Sequence, residues 1–173
     1  MKKTLLPLVV LIISGTAGLF AMIKTDYSHS TDFGRYRTYS WINVRAGNSL
    51  WQDRIRRAVD SQLSAKGWSQ VPSGGDAGVA AYGATHNQES LQTFYDGFPG
   101  WGWRGFGDGL ATTTVENIPV GTLMVDVFDG QSKKLIWRGS SSETLSEKPD
   151  KNEKKLEKSV DDMFKHFPPP SKG

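Results

Sequence analysis

Residues 121–138 read GTLMVDVFDGQSKKLIWR, and the fold follows from them. Side chains alternate along an extended chain, so Leu123, Val125 and Val127 project to one side while Met124, Asp126 and Phe128 project to the other. Asp129-Gly130-Gln131-Ser132 carries turn chemistry, and Leu135-Ile136-Trp137-Arg138 brings the chain back. The stretch therefore predicts an antiparallel hairpin whose second strand runs on toward Leu145.

Upstream of the hairpin, Ala111 to Ile118 is rich in Thr and Val and reads as a strand, and Gly78 to about Gln92 reads as a longer extended run. Val79, Ala81 and Gly83 share one face of that run and Ala80, Tyr82 and Ala84 the other, which suits a strand covered on both sides. Trp68 to Val71 is a brief strand stopped by Pro72-Ser73-Gly74-Gly75. Ile23 to Tyr27 and Arg35 to Trp41 open the domain as two strands, with polar Ser28 to Asp32 turning between them.

Two helices complete the pattern. The first starts at a Ser-x-x-Gln capping box, Ser49 to Gln52; it presents Trp51, Ile55, Val59 and Leu63 on one face and closes at Lys66-Gly67. Its outer face pairs Asp53 with Arg57 and Arg56 with Asp60 at i,i+4 spacing, which reads as a solvated surface. The second follows Pro149 with a capping signature at Asp150 to Glu153, carries the stripe Leu156, Val160, Met163, Phe164 and Phe167, and stops at Pro168-Pro169-Pro170. The sum is one α+β domain over residues 22–170: ββαβ and then a meander, mostly antiparallel, with two helices packed on one face of the sheet.

The N-terminus reads as an export signal. Lys2 and Lys3 precede an apolar run from Leu5 to Ile13, and Gly15-Thr16-Ala17 supplies small residues for cleavage after Ala17, or alternatively after Ala21. An uncleaved segment would be the chain's one membrane attachment. Both readings place the domain outside the cytoplasm, in the periplasm or cell envelope. Without Lys2 and Lys3 the balance is 19 basic to 18 acidic residues, so the basic whole-chain charge is no argument for nucleic acid. The absence of cysteine excludes disulfides, thiolate chemistry and lipid attachment through an N-terminal cysteine.

Several of these stretches together resemble a known family. Lys24 to Tyr27 followed by Thr31 to Trp41, then Asp53-Arg54-Ile55 with Gln62 to Gly67, Gly121 to Asp126, Leu135 to Gly139 and Met163 to Pro169 are similar to the bacterial envelope proteins grouped as domain of unknown function 4136. The resemblance implies an exported domain. Many members look like lipoproteins with a cysteine after the signal, and this chain departs from them there. The family has no established catalytic residues, so the resemblance transfers none.

The sequence offers one unusual surface. In residues 94–109, FYDGFPGWGWRGFGDG, aromatic rings alternate with glycines without helical or strand periodicity. Tyr95, Trp101, Trp103 and Phe106 bury large area at low entropic cost, and Arg104 adds charge or stacking; these five are the candidate binding residues. The same rings could instead fold back over the sheet as a lid. Asp96 and Asp108 flank the loop and would be the carboxylates of a small periplasmic glycan hydrolase, although each precedes glycine and reads first as a turn residue. His29, His86 and His166 lack metal-ligand spacing, Ser140 to Ser142 lie on a strand rather than on a nucleophile elbow, and the glycines precede no helix that could cradle phosphate. The expectation is a non-catalytic accessory domain, without cofactor or metal, that contacts an envelope protein or wall glycan through the aromatic loop.

Overall fold

The computed structural model of the protein describes residues 21–85 and 120–169. They form a six-stranded sheet and two helices, in the chain order β1 (Met22–Tyr27), a 3-10 turn (Phe33–Arg35), β2 (Thr38–Arg45), α1 (Ser49–Ala65), β3 (Ser69–Gln70), β4 (Ala77–Thr85), β5 (Val120–Asp129), β6 (Leu135–Thr144) and α2 (Pro149–Phe164). The sheet order is β1-β6-β5-β4-β2-β3. β4, β5, β6 and β1 pair antiparallel, while β2 lies parallel to both β4 and β3. The mixed edge follows from α1, whose crossover from β2 to β3 and on to β4 returns the chain in its original direction.

The hairpin forms as its alternation requires. Leu123, Val125 and Val127 face the helices together with Val79 and Ala81 of β4, and all are buried. Met124 and Phe128 face the other way with Ala80, Tyr82 and Leu135 in a second apolar cluster, also buried. β4 is thus covered on both faces. Asp126 shares the second face at 0% exposure and is held by Arg138 opposite it, with Nε and Nη2 each 2.6 Å from a carboxylate oxygen. A two-pronged bond of this kind offsets the cost of taking a carboxylate out of water.

Between sheet and helices lies an aromatic chain. Tyr36 stacks on Trp68 at 5.6 Å between ring centres, Trp68 meets Phe167 edge-on at 5.2 Å, and Phe167 touches Trp137 at 5.1 Å and Phe164 at 5.2 Å. These contacts tie the segment after α2 to the beginning of the domain. Both helices lie on this one face, with Ile55, Val59 and Leu63 of α1 and Val160, Met163 and Phe164 of α2 turned inward.

Three local expectations are corrected. The strand read as Arg35 to Trp41 lies later, at Thr38–Arg45. Arg35 instead belongs to the 3-10 turn, which Asp32 caps by accepting from the Gly34 amide at 2.9 Å. The cap of α1 is Asn48, whose Oδ1 accepts from the Trp51 amide at 3.1 Å, so Ser49 is already inside the helix. α2 begins at Pro149 after Lys148 without a side-chain cap, and Asn152 bonds the backbone of Ser146 on both sides of its amide. Proline supplies the preset φ of a first helical residue and has no N–H to leave unpaired.

The outer face of α1 also differs from the solvated pairs predicted for it. Asp60 accepts the Tyr39 hydroxyl at 2.6 Å and the Trp41 indole N–H at 2.8 Å, while Arg56 stacks over Trp41. Arg54 and Arg57 reach across to Glu153 of α2 at 3.0 and 3.6 Å. Gln62 meets Asp161 at 3.2 Å farther along, so the two helices run in the same direction.

One polar junction locks the hairpin turn to the 3-10 element. Asp129 accepts the Tyr36 hydroxyl at 2.7 Å, the Ser132 amide at 2.6 Å and the Arg35 guanidinium. Burial alone would push the Asp129 carboxyl up, but the Ser132 amide, the Tyr36 hydroxyl and Arg35 outweigh it and hold the group well below the usual carboxylate range. Burial, with the bond to Asp129, pushes the Tyr36 hydroxyl up to about 12. A carboxyl depressed in the folded state stabilises fully above its unfolded pKa and loses that contribution as pH falls toward the folded one. Asp129→Asn is therefore expected to cost about 1–2 kcal/mol near neutral pH. The gap from wild type should narrow as urea titrations move below about pH 4; a pH-independent gap would refute the assignment.

Beside this junction Gly130 sits against backbone. A Cβ added there would lie 2.3 Å from the Gly75 carbonyl oxygen and 2.7 Å from that of Asp76, whereas one added at Gly47 meets nothing within 4 Å. Gly130→Ala should lower unfolding free energy by about 1–3 kcal/mol, and Gly47→Ala should change it little. Equilibrium denaturation of the two variants checks the contrast.

Candidate functional site

Tyr95, Trp101, Trp103, Arg104 and Phe106, with Asp96 and Asp108, lie outside the described residues. The strands on either side of them are well placed. Thr85, the last residue of β4, is the register partner of Gly121 near the start of β5. The end of β4 and the start of β5 thus lie side by side, at the end of the sheet where β2, β4 and β6 finish and where both helices begin.

A hollow of about 210 Å³ opens at this end. Its floor is small: Ala46, Gly47, Gly83, Ala84 and Gly121 leave space between the sheet and the first turns of α1 and α2. At Gly83 a Cβ would stand 3.0 Å from Ile55 Cδ1, so glycine lets the helix approach while keeping the cavity open. Trp51 and Ile55 of α1, Leu156 of α2, Leu123 and Leu145 form apolar walls. The volume is below that of ordinary small-ligand pockets and suits one large side chain or a single ring.

Polar groups converge on one wall. Glu143 of β6 faces α2, with Lys155 Nζ 3.5 Å from one carboxylate oxygen and the Ser159 hydroxyl donating to the other at 3.3 Å. Lys155 also donates to the Thr144 carbonyl at 2.7 Å, which fixes it against the strand end. Ser141, on the same strand face, is buried and lines the hollow. Among the described lining residues Glu143 is the single acid.

The rim of this end is apolar. Met22, partner of Ser142, is 63% exposed and Leu50, in the first turn of α1, is 65% exposed; they are the large hydrophobic residues left open among those described. Trp51, next to Leu50 in α1, carries the Arg54 guanidinium over its ring at 4.8 Å. The wider groove between the outer faces of the helices, about 660 Å³, is lined instead by the Arg54, Arg57 and Glu153 ion pairs that hold the helices together. Among the described residues no group of His, Cys, Asp and Glu is arranged to hold a metal ion, and no helix is long and apolar enough to cross a membrane.

The family model for a domain of unknown function, DUF4136, matches residues 23–169. The chain belongs to the DUF4136 family. Its fold recurs in solved structures. A DUF4136 family protein from Bacteroides thetaiotaomicron superposes with a TM-score of 0.55 at 16% identity, over 86% of this chain and 96% of that one. A PDZ domain protein from Parabacteroides distasonis superposes with a TM-score of 0.59 at 14% identity, over 89% of this chain; this chain spans 37% of that protein's length. No curated protein matches the sequence. At such identities the likeness is one of fold.

Neither Glu143 nor Lys155 stood out in the sequence, because nothing in their spacing signals that a strand end and a helix turn will meet. Their coupling is measurable. In a double-mutant cycle with Glu143→Gln and Lys155→Met, urea denaturation should return an interaction of about 0.5–1 kcal/mol for this partly exposed pair. Strict additivity would show that the pair does not hold the wall of the hollow.

Proposed function

We propose that this DUF4136 domain is an exported, non-catalytic accessory module of the cell envelope that engages a partner protein or wall glycan through the aromatic segment 94–109 at the apolar end of the sheet. The observation that carries the reading is the pairing of Thr85 with Gly121. It sets the last described residue before the aromatic stretch beside the strand that follows it, at the end of the sheet that carries the hollow and where Met22 and Leu50 are exposed. Contact surfaces concentrate aromatic and arginine side chains in this way, with Trp and Tyr as anchors. The signal-like pattern of residues 1–17 and the envelope character that the family resemblance implies support the location.

A binding role also suits the chemistry of the end. The Glu143 carboxylate is shared between Lys155 and Ser159, so that wall offers a satisfied polar surface rather than a free base or an activated nucleophile. In-cell crosslinking of wild type and the Trp101→Ala/Trp103→Ala variant tests the proposal, together with retention on isolated wall glycan. The variant should lose its crosslinked partner or its retention while melting within a few degrees of wild type. Unchanged partners and retention would sink the proposal, and a lowered melting temperature with partners kept would identify the segment as a lid.

A further inference from the structure

We infer that the outer edge of β1 is the interface of a two-fold homodimer, in which the sheets of two copies join β1 to β1. β1 is the terminal strand, and among the described residues only β6 pairs with it. Ser28 donates its amide to the Ile136 carbonyl at 2.9 Å, in register with the β1–β6 ladder. In an antiparallel ladder residues alternate in direction, so Met22, Lys24 and Asp26 bond inward with Ser28, while Ile23, Thr25 and Tyr27 turn their N–H and C=O groups to the open edge. In agreement, the Tyr27 amide is met from the open side by the Asp26 carboxylate at 2.8 Å.

The strand MIKTDY is complementary to itself under a two-fold axis through Thr25. Thr25 then faces Thr25 of the second copy, and Ile23 faces Tyr27 in both directions, as hydrogen-bonded pairs. Once the Asp26 carboxylate turns from the Tyr27 amide to Lys24 of the second copy, these use every outward group of the three residues in about six backbone bonds. Lys24 falls opposite Asp26, twice, in the non-bonded positions where side chains approach most closely. On the helix face Ile23 and Tyr27 already pack against the core, and the axis extends that apolar layer from one copy into the next. On the other face Arg138, beside Asp26 in the register, has its guanidinium engaged by Asp126, so Lys24 of the second copy is the cation placed to take the Asp26 carboxylate.

The geometry also closes. The opposite margin of the sheet is β3, a strand of two residues that offers no comparable ladder for head-to-tail growth. An isologous pair therefore ends at two copies rather than running into a filament.

Sedimentation of the protein purified as the cell makes it, across a dilution series, tests the inference. Wild type should dimerise, and Lys24→Asp, which sets four carboxylates together at the axis, should weaken the dimer by about tenfold or more. Lys24→Asp/Asp26→Lys should restore it, because the exchange rebuilds both pairs only if the two positions meet across a two-fold. Amide exchange in wild type gives an independent reading: Thr25 and Ile23 should be protected at high concentration and lose that protection on dilution. A wild type that stays monomeric, a charge swap that fails to restore the dimer, or a Thr25 amide that exchanges equally fast at all concentrations would overturn it.

Discussion

Two-sided burial of the β4–β5 pair is the constraint from which the remaining structure follows. The two strands stay in register from Ala77 against Asp129 to Thr85 against Gly121. Their side chains fill an apolar layer toward the helices and another on the opposite face. Slipping the register by one residue would turn Val125 and Val127 away from the helices and drive Met124 and Asp126 into them, so the pairing is strongly specified. The register is fixed at both ends: the hairpin turn closes one, and at the other Thr85 lies beside Gly121.

Polar groups finish what burial starts, each at a place where the apolar layers must stop. Asp126 sits inside the second layer and is tolerated because Arg138 lies directly across the hairpin. Asp129 closes the same strand by gathering the turn amides, Tyr36 and Arg35. At the β2 edge, Asp76 accepts from the amides of Arg37 and Thr38 while its own amide is taken by Thr38 Oγ1, which anchors the start of β2 next to the start of β4. These carboxylates share one logic: a charged acceptor gathers two or more donors, and each bond of that type is stronger than a neutral one.

What could be read from the sequence was whatever repeats locally. The period-two alternation of residues 121–128, the turn at Asp129-Gly130 and the helical stripe Ile55, Val59, Leu63 all depend on near neighbours, and they appear in the fold as expected. Choices between two adequate local partners were not legible. Asn48 and Ser49 can each cap α1, and the decision falls to the backbone geometry of the preceding bend; Asp60 can face Arg56 or turn to Tyr39 and Trp41, and burial of those rings decides it. The candidate site divides in the same way. The aromatic stretch announces itself by composition, whereas the hollow is made of glycines and alanines on or just after separate strands, whose significance appears only when β2 and β4 end beside the start of β5 against two helix starts.

The apolar end and the β1 edge constrain one another. Met22 begins β1 at the end that carries the hollow, and an antiparallel β1–β1 junction sends the two copies' ends in opposite directions along the strands. A dimer built this way therefore presents its two contact surfaces facing apart, so that it bridges two partners instead of gripping one at two points. The same geometry bears on the N-terminal segment. A retained membrane anchor leading straight into Met22 would have to enter the bilayer at both ends of the dimer, and a single flat membrane cannot receive both. Dimerisation through β1 and a retained N-terminal anchor are thus alternatives.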